Sequence, residues 1–143
     1  LNAKLSEAIC SINAIKGVYF GKENASSNLG SELHDEIGYN NDKYTRMDNN
    51  AGGIEGGTSN AQTIIINGMM KPLSTLTKPL KSIDIKSKKQ KLAHKERTDS
   101  CAVPAAAIVA ESMAAIVIAD LLLDKFGGDS MSELKQHLQS AKY

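Results

Sequence analysis

Five short segments of this chain hold the residues whose types and spacing could do chemistry. One is rich in glycine, one pairs Glu with nearby acidic residues, and three carry a cation beside amide, hydroxyl or carboxyl groups. They are Asn13-Ala14-x-Lys16-Gly17-Val18, Gly30-Ser31-Glu32-x-x-Asp35-Glu36, residues 50–60 (Asn-Ala-Gly-Gly-Ile-Glu-Gly-Gly-Thr-Ser-Asn), Lys71-Pro72-Leu73-Ser74-Thr75, and Arg97-x-Asp99-x-Cys101-Ala102-Val103-Pro104.

Taken singly, each segment has a plain structural interpretation. A Lys-Pro-x-Ser-Thr segment is normally a turn, and an Arg-x-Asp pair is normally a surface ion pair contributing about 0–1 kcal/mol. The glycines in residues 52–57 indicate tight bends or close approach to a ligand. Their spacing matches neither the GxGxxG nor the GxxxxGK(S/T) pattern, so a tight hairpin explains the cluster when it stands alone.

The composition excludes several classes of function. A chain of 143 residues with a net charge of +1 and 23% charged residues is one ordinary soluble domain's worth of sequence. The absence of Trp and an aromatic fraction of 4% argue against a stacking platform for single-stranded nucleic acid. Cys10 and Cys101, with three scattered histidines, form neither a disulfide scaffold nor a zinc pattern. We expect both to be buried or half-buried thiols.

The hydrophobic pattern predicts a mixed α+β chain. Helical spacing of Leu1, Leu5, Ala8, Ile9 and Ile12 predicts a helix. The other expected elements are a strand over 15–21, a long polar loop over 22–50 that is functional or mobile, a β-branched strand over 63–70 and a half-exposed strand over 81–85.

Pro104 precedes the longest apolar run, residues 105–123, which is long enough to cross a membrane. Glu111 and Asp120 interrupt this run, and ionised groups are costly at such depths. The pattern therefore predicts a helix buried on most of its surface within a soluble fold. We expect it to end at Gly127-Gly128, followed by a capping box at Ser130–Glu133 and a short helix with Leu134 and Leu138 inside.

Residues 78–97 carry eight Lys and Arg against Asp84 and Glu96. No aromatic or glycine-rich nucleic-acid motif accompanies them, so a solvated hairpin or loop is the simplest interpretation. This run also supports an alternative function, that of a non-catalytic module that binds an acidic partner through residues 78–97.

In this order and at these spacings, the five segments resemble chorismate synthase over essentially the whole chain. The resemblance implies a sandwich of antiparallel sheets around central helices, of which residues 1–143 would be the C-terminal portion of a single domain. It implies elimination of phosphate and a ring proton from 5-enolpyruvylshikimate 3-phosphate to give chorismate, with reduced FMN as cofactor. It further implies a cytoplasmic homotetramer with no nucleic-acid or membrane partner, and leaves open whether NADPH or a separate reductase reduces the flavin.

The resemblance also assigns individual residues. Asp99 would be the catalytic residue that helps to relay the proton, and no metal is expected. The flavin contacts would fall on Asn13, Ala14, Gly56, Lys71, Pro72, Leu73, Ser74, Thr75 and Arg97. Lys71, Ser74 and Thr75 offer a cation and hydroxyl groups to a phosphate, and Gly56 lets backbone approach a flat ring without a Cβ.

The chain departs from the family pattern at a few positions. Leu73 stands where a small polar residue is usual, and Ala61 replaces a common Gly after Ser59-Asn60. The two histidines that the family uses as acid and base belong to its N-terminal part, which the resemblance does not include. The chain alone is therefore expected to be inactive.

Overall fold

The computed structural model describes residues 1–95 and 101–141, which form helices and short antiparallel ribbons. The helices are α1 (Asn2–Cys10), α2 (Gly30–Leu33), α3 (Val103–Phe126) and α4 (Met131–Ser140), with a 3₁₀ turn at Ala25–Ser27. The strands are β1 (Ile15–Phe20), β2 (Ile37–Asn40), β3 (Lys43–Arg46), β4 (Ile54–Glu55), β5 (Thr58–Ser59), β6 (Ile66–Met70), β7 (Lys81–Ile83) and β8 (Gln90–Leu92). The mixed α+β class is confirmed.

All the strands pair in antiparallel couples, namely β1–β6, β2–β3, β4–β5 and β7–β8. Three of these couples are local hairpins, whereas β1 and β6 are far apart in the sequence. In the β1–β6 ribbon, Phe20 lies opposite Ile66 and Ile15 lies opposite Met70, with an irregularity between Ile15 and Gly17. The ribbon therefore brings the start of β1 to the end of β6.

The small core lies on α1. Leu5, Ala8 and Ile9 are buried on one face of this helix, at the predicted spacing, and Leu134 of α4 is buried as well. Helix α1 packs against both α3 and β1. Lys4 also reaches α3, since its Nζ lies 3.1 Å from an Asp120 carboxylate oxygen. The Asp120 hydrogen bond and charge raise the pKa of Lys4 above its usual value.

The structure corrects the expectation that the apolar run is buried. Helix α3 forms as predicted but has no buried residue, and Ile108 and Ile116 are 65% and 63% exposed. The physical reason is that, within the described ranges, α3 packs mainly on α1 and α4, which leaves much of its circumference exposed. Among the described residues, α3 is also the one helix long and apolar enough to cross a membrane, with mean hydropathy 2.1 over its most apolar window.

The ends of α3 and α4 follow the sequence signals closely. Helix α3 stops at Gly127, although this glycine has φ −57° rather than a left-handed conformation. His137 Nδ1 lies 2.9 Å from the Phe126 carbonyl, at the end of the helix. The amide of Glu133 donates to Ser130 Oγ at 3.3 Å, as a capping box requires. The Glu133 carboxylate accepts instead from the amide of Asp129.

Other elements begin or end at residues that differ from the predicted ones. The predicted strand over 63–70 begins at Ile66, and the one over 81–85 ends at Ile83. The polar stretch 22–50 is not a plain loop, because it holds the 3₁₀ turn, α2 and the β2–β3 hairpin. Both cysteines are exposed, contrary to expectation. Cys10 follows the buried Ile9 and is turned about 100° from its face, since helical residues succeed one another by that angle.

Candidate functional site

The Asn13–Ala14 turn and the Lys71–Thr75 segment meet at one end of the β1–β6 ribbon. The amide of Lys71 donates a 2.7 Å hydrogen bond to the Ala14 carbonyl. Ala14 has φ +68°, in the left-handed region, so that the turn can enter β1 sharply. The antiparallel register thus joins two segments to which the resemblance assigns one cofactor.

The segment beyond Lys71 is an exposed loop. Lys71, Pro72, Leu73 and Ser74 are all exposed, and Thr75 is half-buried. Within the described part of the chain, the Lys71 ammonium makes no hydrogen bond or ion pair with another residue. A free cation next to a Ser hydroxyl suits a phosphate group, which accepts charge-assisted hydrogen bonds. Leu73, which is 43% exposed, adds an apolar surface rather than a hydroxyl at this loop.

The glycine-rich segment serves two different structural purposes. Gly52 and Gly53 are both buried against backbone: a Cβ on Gly52 would overlap the amide of Gly21, and a Cβ on Gly53 would overlap the carbonyl of Thr63. Gly56 and Gly57 instead form the tip of the β4–β5 hairpin, with φ +57° and +80°. Positive φ at both central residues is typical of a type I′ turn. Residues 54–59 thus form the tight hairpin that is the plain structural interpretation of this part of the segment.

Gly56 does not lie beside the Ala14–Lys71 junction. The neighbouring Gly57 carbonyl accepts a 2.9 Å hydrogen bond from the nitrogen of Leu1, at the start of α1. Asn13 and Ala14 follow the other end of this nine-residue helix, which is about 14 Å long at 1.5 Å per residue. The described chain therefore brings Asn13, Ala14 and Lys71–Thr75 together but leaves Gly56 near the start of α1, with open space where a Cβ would lie.

Two polar side chains that carried no predicted role hold the glycine-rich segment in place. The Asp35 carboxylate accepts from the amides of Asn50 and Ala51 at 2.7 and 3.1 Å. Asn49 accepts from the Gly53 amide and donates to the Thr63 carbonyl, each at 2.8 Å. An acidic residue upstream of a glycine tract with free amides is the signal that could have predicted the Asp35 contact.

An ion pair joins the β2–β3 hairpin to the β4–β5 hairpin. The guanidinium of Arg46, at the end of β3, lies 2.5 Å from the Glu55 carboxylate in β4. The same carboxylate accepts a 2.8 Å hydrogen bond from Asn60. Because the Arg46 side chain is only 20% exposed, this ion pair is better shielded from solvent than the Lys4–Asp120 pair.

Arg97 and Asp99, the remaining predicted site residues, lie outside the described residues. In the described ranges 1–95 and 101–141, no group of three His, Cys, Asp or Glu could hold a metal ion.

An apolar groove of about 510 Å³ lies between α3 and the β1–β6 ribbon. Alanines of α3 form one wall, and Ile9, Ile15, Ile66 and Met70 form much of the other. Glu111 is the acidic residue that lines it.

Both the sequence and the α+β fold of this chain match known proteins. The sequence profile described as chorismate synthase matches residues 1–123. A relative named chorismate synthase 2, from Bacillus cereus, is 52% identical over 96% of this chain and 36% of its own length. Chorismate synthase of Aquifex aeolicus is 48% identical over 97% of this chain and 35% of its own length.

A solved structure agrees with these matches. The crystal structure of a chorismate synthase superposes with a TM-score of 0.72 and 39% identity, over 96% of this chain and 34% of the solved chain. The chain therefore belongs to the chorismate synthase family. It spans about a third of the length of the relatives it matches.

Proposed function

We propose that this chain is the flavin-holding, C-terminal part of a phosphate-eliminating lyase that converts 5-enolpyruvylshikimate 3-phosphate to chorismate. The observation that carries the proposal is the hydrogen bond between Ala14 and Lys71, in a chain that belongs to the chorismate synthase family. It joins two segments that the resemblance assigns to FMN, at an exposed surface that a ligand can reach.

The residues at this junction fit FMN by their donor chemistry. Lys71 supplies a cation without a partner among the described residues, Ser74 supplies a hydroxyl, and both are exposed. The side chains of Asn13 and Leu73 are exposed as well and border the same loop. A phosphate monoester needs such charge-assisted donors, and an aromatic ring system can lie on the apolar part of the surface.

The overall reaction breaks a carbon–oxygen bond, phosphate leaves with the bonding electron pair, and a ring proton is lost as a carbon–carbon double bond forms. Reduced FMN, when bound, supplies the redox-active ring that this net redox-neutral elimination requires. In this chain Lys71 and Ser74 would hold a phosphate, and Arg97 would bind a carboxylate or phosphate through its rigid fork. Asp99 would accept and release a proton, because burial can tune a carboxyl toward neutrality.

The exposed face of α3 supports the proposal that the full-length protein has the family's sandwich fold. In the family's sandwich of antiparallel sheets around central helices, α3 would be a central helix that the rest of the polypeptide covers. Its exposed isoleucines and the apolar groove beside it provide the surface for this packing. Glu111 and Asp120, with the Lys4–Asp120 ion pair, favour this over insertion into a membrane. The assembled protein would be a cytoplasmic homotetramer.

The proposal is tested on the full-length protein that contains this chain. We expect FMN fluorescence to be quenched on titration and chorismate to form from 5-enolpyruvylshikimate 3-phosphate when the flavin is reduced. Quenching without chorismate would assign the site to another flavin enzyme. Neither quenching nor chorismate would favour the non-catalytic module that binds an acidic partner.

A further inference from the structure

The strongest charge asymmetry of the chain lies in one hairpin. Residues 78–95, here called the basic hairpin, contain seven lysines and a single acidic residue, Asp84. The rest of the chain carries ten Lys and Arg against fifteen Asp and Glu. The net charge of +1 is therefore the sum of a strongly basic hairpin and an acidic remainder of the chain. The electric field of such a basic hairpin attracts anionic ligands over a distance.

The one acidic residue of the basic hairpin bonds to backbone amides and a hydroxyl, and it forms no ion pair with a described lysine. The Asp84 carboxylate accepts from the amide and hydroxyl of Ser87, at 2.7 and 2.9 Å, and from the amide of Lys86 at 3.1 Å. These hydrogen bonds, those from Ser87 first, lower the pKa of Asp84. Over the described residues, no lysine of the hairpin forms an ion pair, so their charges are available to a ligand.

Several of these charges border one concave surface. A concavity of about 700 Å³ lies on the β7–β8 ribbon, and Lys86, Lys91 and Lys95 line it together with His94. All four side chains are exposed. Because the lysine charges stand around one hollow rather than spread along an extended chain, they favour a compact anion over a long one.

In the sequence, the basic hairpin directly follows the proposed phosphate loop. The Ala93 amide donates a 2.9 Å hydrogen bond to the Leu80 carbonyl and closes the base of the hairpin. Thr75 precedes Leu80 by five residues, a span of at most about 17 Å. Arg97 follows Ala93 by four residues in the sequence. The hairpin is thus an insertion between two segments assigned to the same site.

We propose that the basic hairpin is an anion-capture arm that concentrates phosphate monoester dianions near the Lys71–Thr75 loop. This inference rests on the proposed function, because that function supplies two such ligands, FMN and the phosphorylated substrate. Electrostatic capture raises association rates and is weakened by salt, since the screening length falls to about 10 Å at 0.1 M ionic strength.

The test compares two double variants of the full-length protein that remove equal charge. Lys86→Gln with Lys91→Gln alters the concavity, and Lys43→Gln with Lys135→Gln removes two exposed lysines elsewhere. Stopped-flow fluorescence quenching gives the association rates of FMN and of riboflavin, which lacks the phosphate. We expect the hairpin variant to bind FMN about threefold to tenfold more slowly at low salt. Riboflavin and the control variant should be unaffected, and the difference should vanish at high salt.

A second measurement separates the two sources of phosphate. The association rate of 5-enolpyruvylshikimate 3-phosphate with the FMN-loaded protein is measured with the same variants. If only FMN associates more slowly with the hairpin variant, the arm captures the cofactor. If only the substrate associates more slowly, the arm captures the substrate. If both are slowed, the arm serves both ligands. Each of these results supports the inference.

Other results overturn it. Unchanged association of both phosphate ligands in the hairpin variant, while the unaltered protein binds FMN, would contradict the inference and leave the proposed function intact. An equal loss of riboflavin and FMN would assign the lysines to structure. A hairpin variant that binds FMN normally but no longer binds poly-L-glutamate would assign them to an acidic protein partner. Failure of the unaltered protein to bind any flavin would contradict the proposed function itself.

Discussion

The backbone amide of Lys71 donates to the carbonyl of Ala14 at 2.7 Å, which fixes a cation-bearing loop against a left-handed turn. The two residues meet because β1 and β6 are antiparallel and in register from Phe20–Ile66 to Ile15–Met70. Neither segment alone indicates a ligand, whereas their contact creates one exposed surface with a cation, hydroxyls and backbone groups.

The proposed roles of Lys71 and Asp99 predict opposite effects of mutation in the full-length protein. Asp99→Asn should leave FMN affinity nearly unchanged and lower turnover by about 10²–10⁴-fold, the range for losing an acid–base group. Lys71→Ala should weaken FMN affinity first, and the loss should shrink as salt rises because screening already weakens the parent's ion pair. Flavin titrations and chorismate assays measure both.

Equal loss of FMN in the two variants would make Asp99 a structural partner instead of a proton relay. No change in either variant would show that the site lies elsewhere.

Two glycine substitutions should separate folding from flavin contact. Gly56→Ala places a Cβ in open space and should lower the free energy of unfolding by about 1–2 kcal/mol, from positive φ alone. Gly52→Ala should cost considerably more, because its Cβ overlaps the backbone of Gly21 as well. Urea denaturation measures both losses. If Gly56→Ala in the full-length protein binds FMN as the parent does, Gly56 is only a hairpin residue.

Ala61 is the residue at which a small substitution should stabilise the chain. It has φ +66°, a conformation that glycine adopts without strain. Ala61→Gly should therefore raise the free energy of unfolding by roughly 0.5–1 kcal/mol, the strain relief exceeding the added freedom of the unfolded chain. Ala119→Gly, on the exposed surface of α3, is the matched control and should lower it by about 0.5–1 kcal/mol. A loss at position 61 would contradict the assigned backbone strain.

Asp84 should stabilise its turn in a pH-dependent way. Its pKa is lowered from 3.8 in the folded chain, chiefly by the Ser87 hydrogen bonds. A depressed carboxyl pKa contributes stability that is present above the unfolded value and is lost as pH falls through the folded value. The turn should therefore hold at neutral pH and weaken below about pH 3.8. Carboxyl carbon NMR should show the pKa of Asp84 rising toward 3.8 in Ser87→Ala; an unchanged pKa would exclude the Ser87 hydroxyl as a cause.

Under the proposed function, the exposed apolar surface of α3 is covered by the rest of the full-length protein and not by lipid. Alkaline carbonate should release the full-length protein from a membrane fraction, because Glu111 and Asp120 interrupt the apolar run. Hydrogen exchange of the α3 amides should be slower in the full-length protein than in this chain alone, where none of its residues is buried. Retention in the carbonate pellet would contradict the proposed central position of α3.

The sequence by itself determined the local features of this protein. Helical spacing of Leu5, Ala8 and Ile9 predicted α1, and the Ser130–Glu133 pattern predicted the cap of α4. Paired glycines were compatible with the β4–β5 turn. These features depend on backbone conformation and on contacts a few residues apart, so their signals are present in short segments.

Only the tertiary structure decided which distant residues lie close together. The register of β1 and β6 joins Ala14 to Lys71, the length of α1 keeps Gly56 away from them, and Asp35 reaches the amides of residues 50 and 51. The exposure of α3 was predicted wrongly for the same reason. Burial depends on which elements pack against a helix, and the apolar pattern of α3 specifies a surface that needs covering without specifying what covers it.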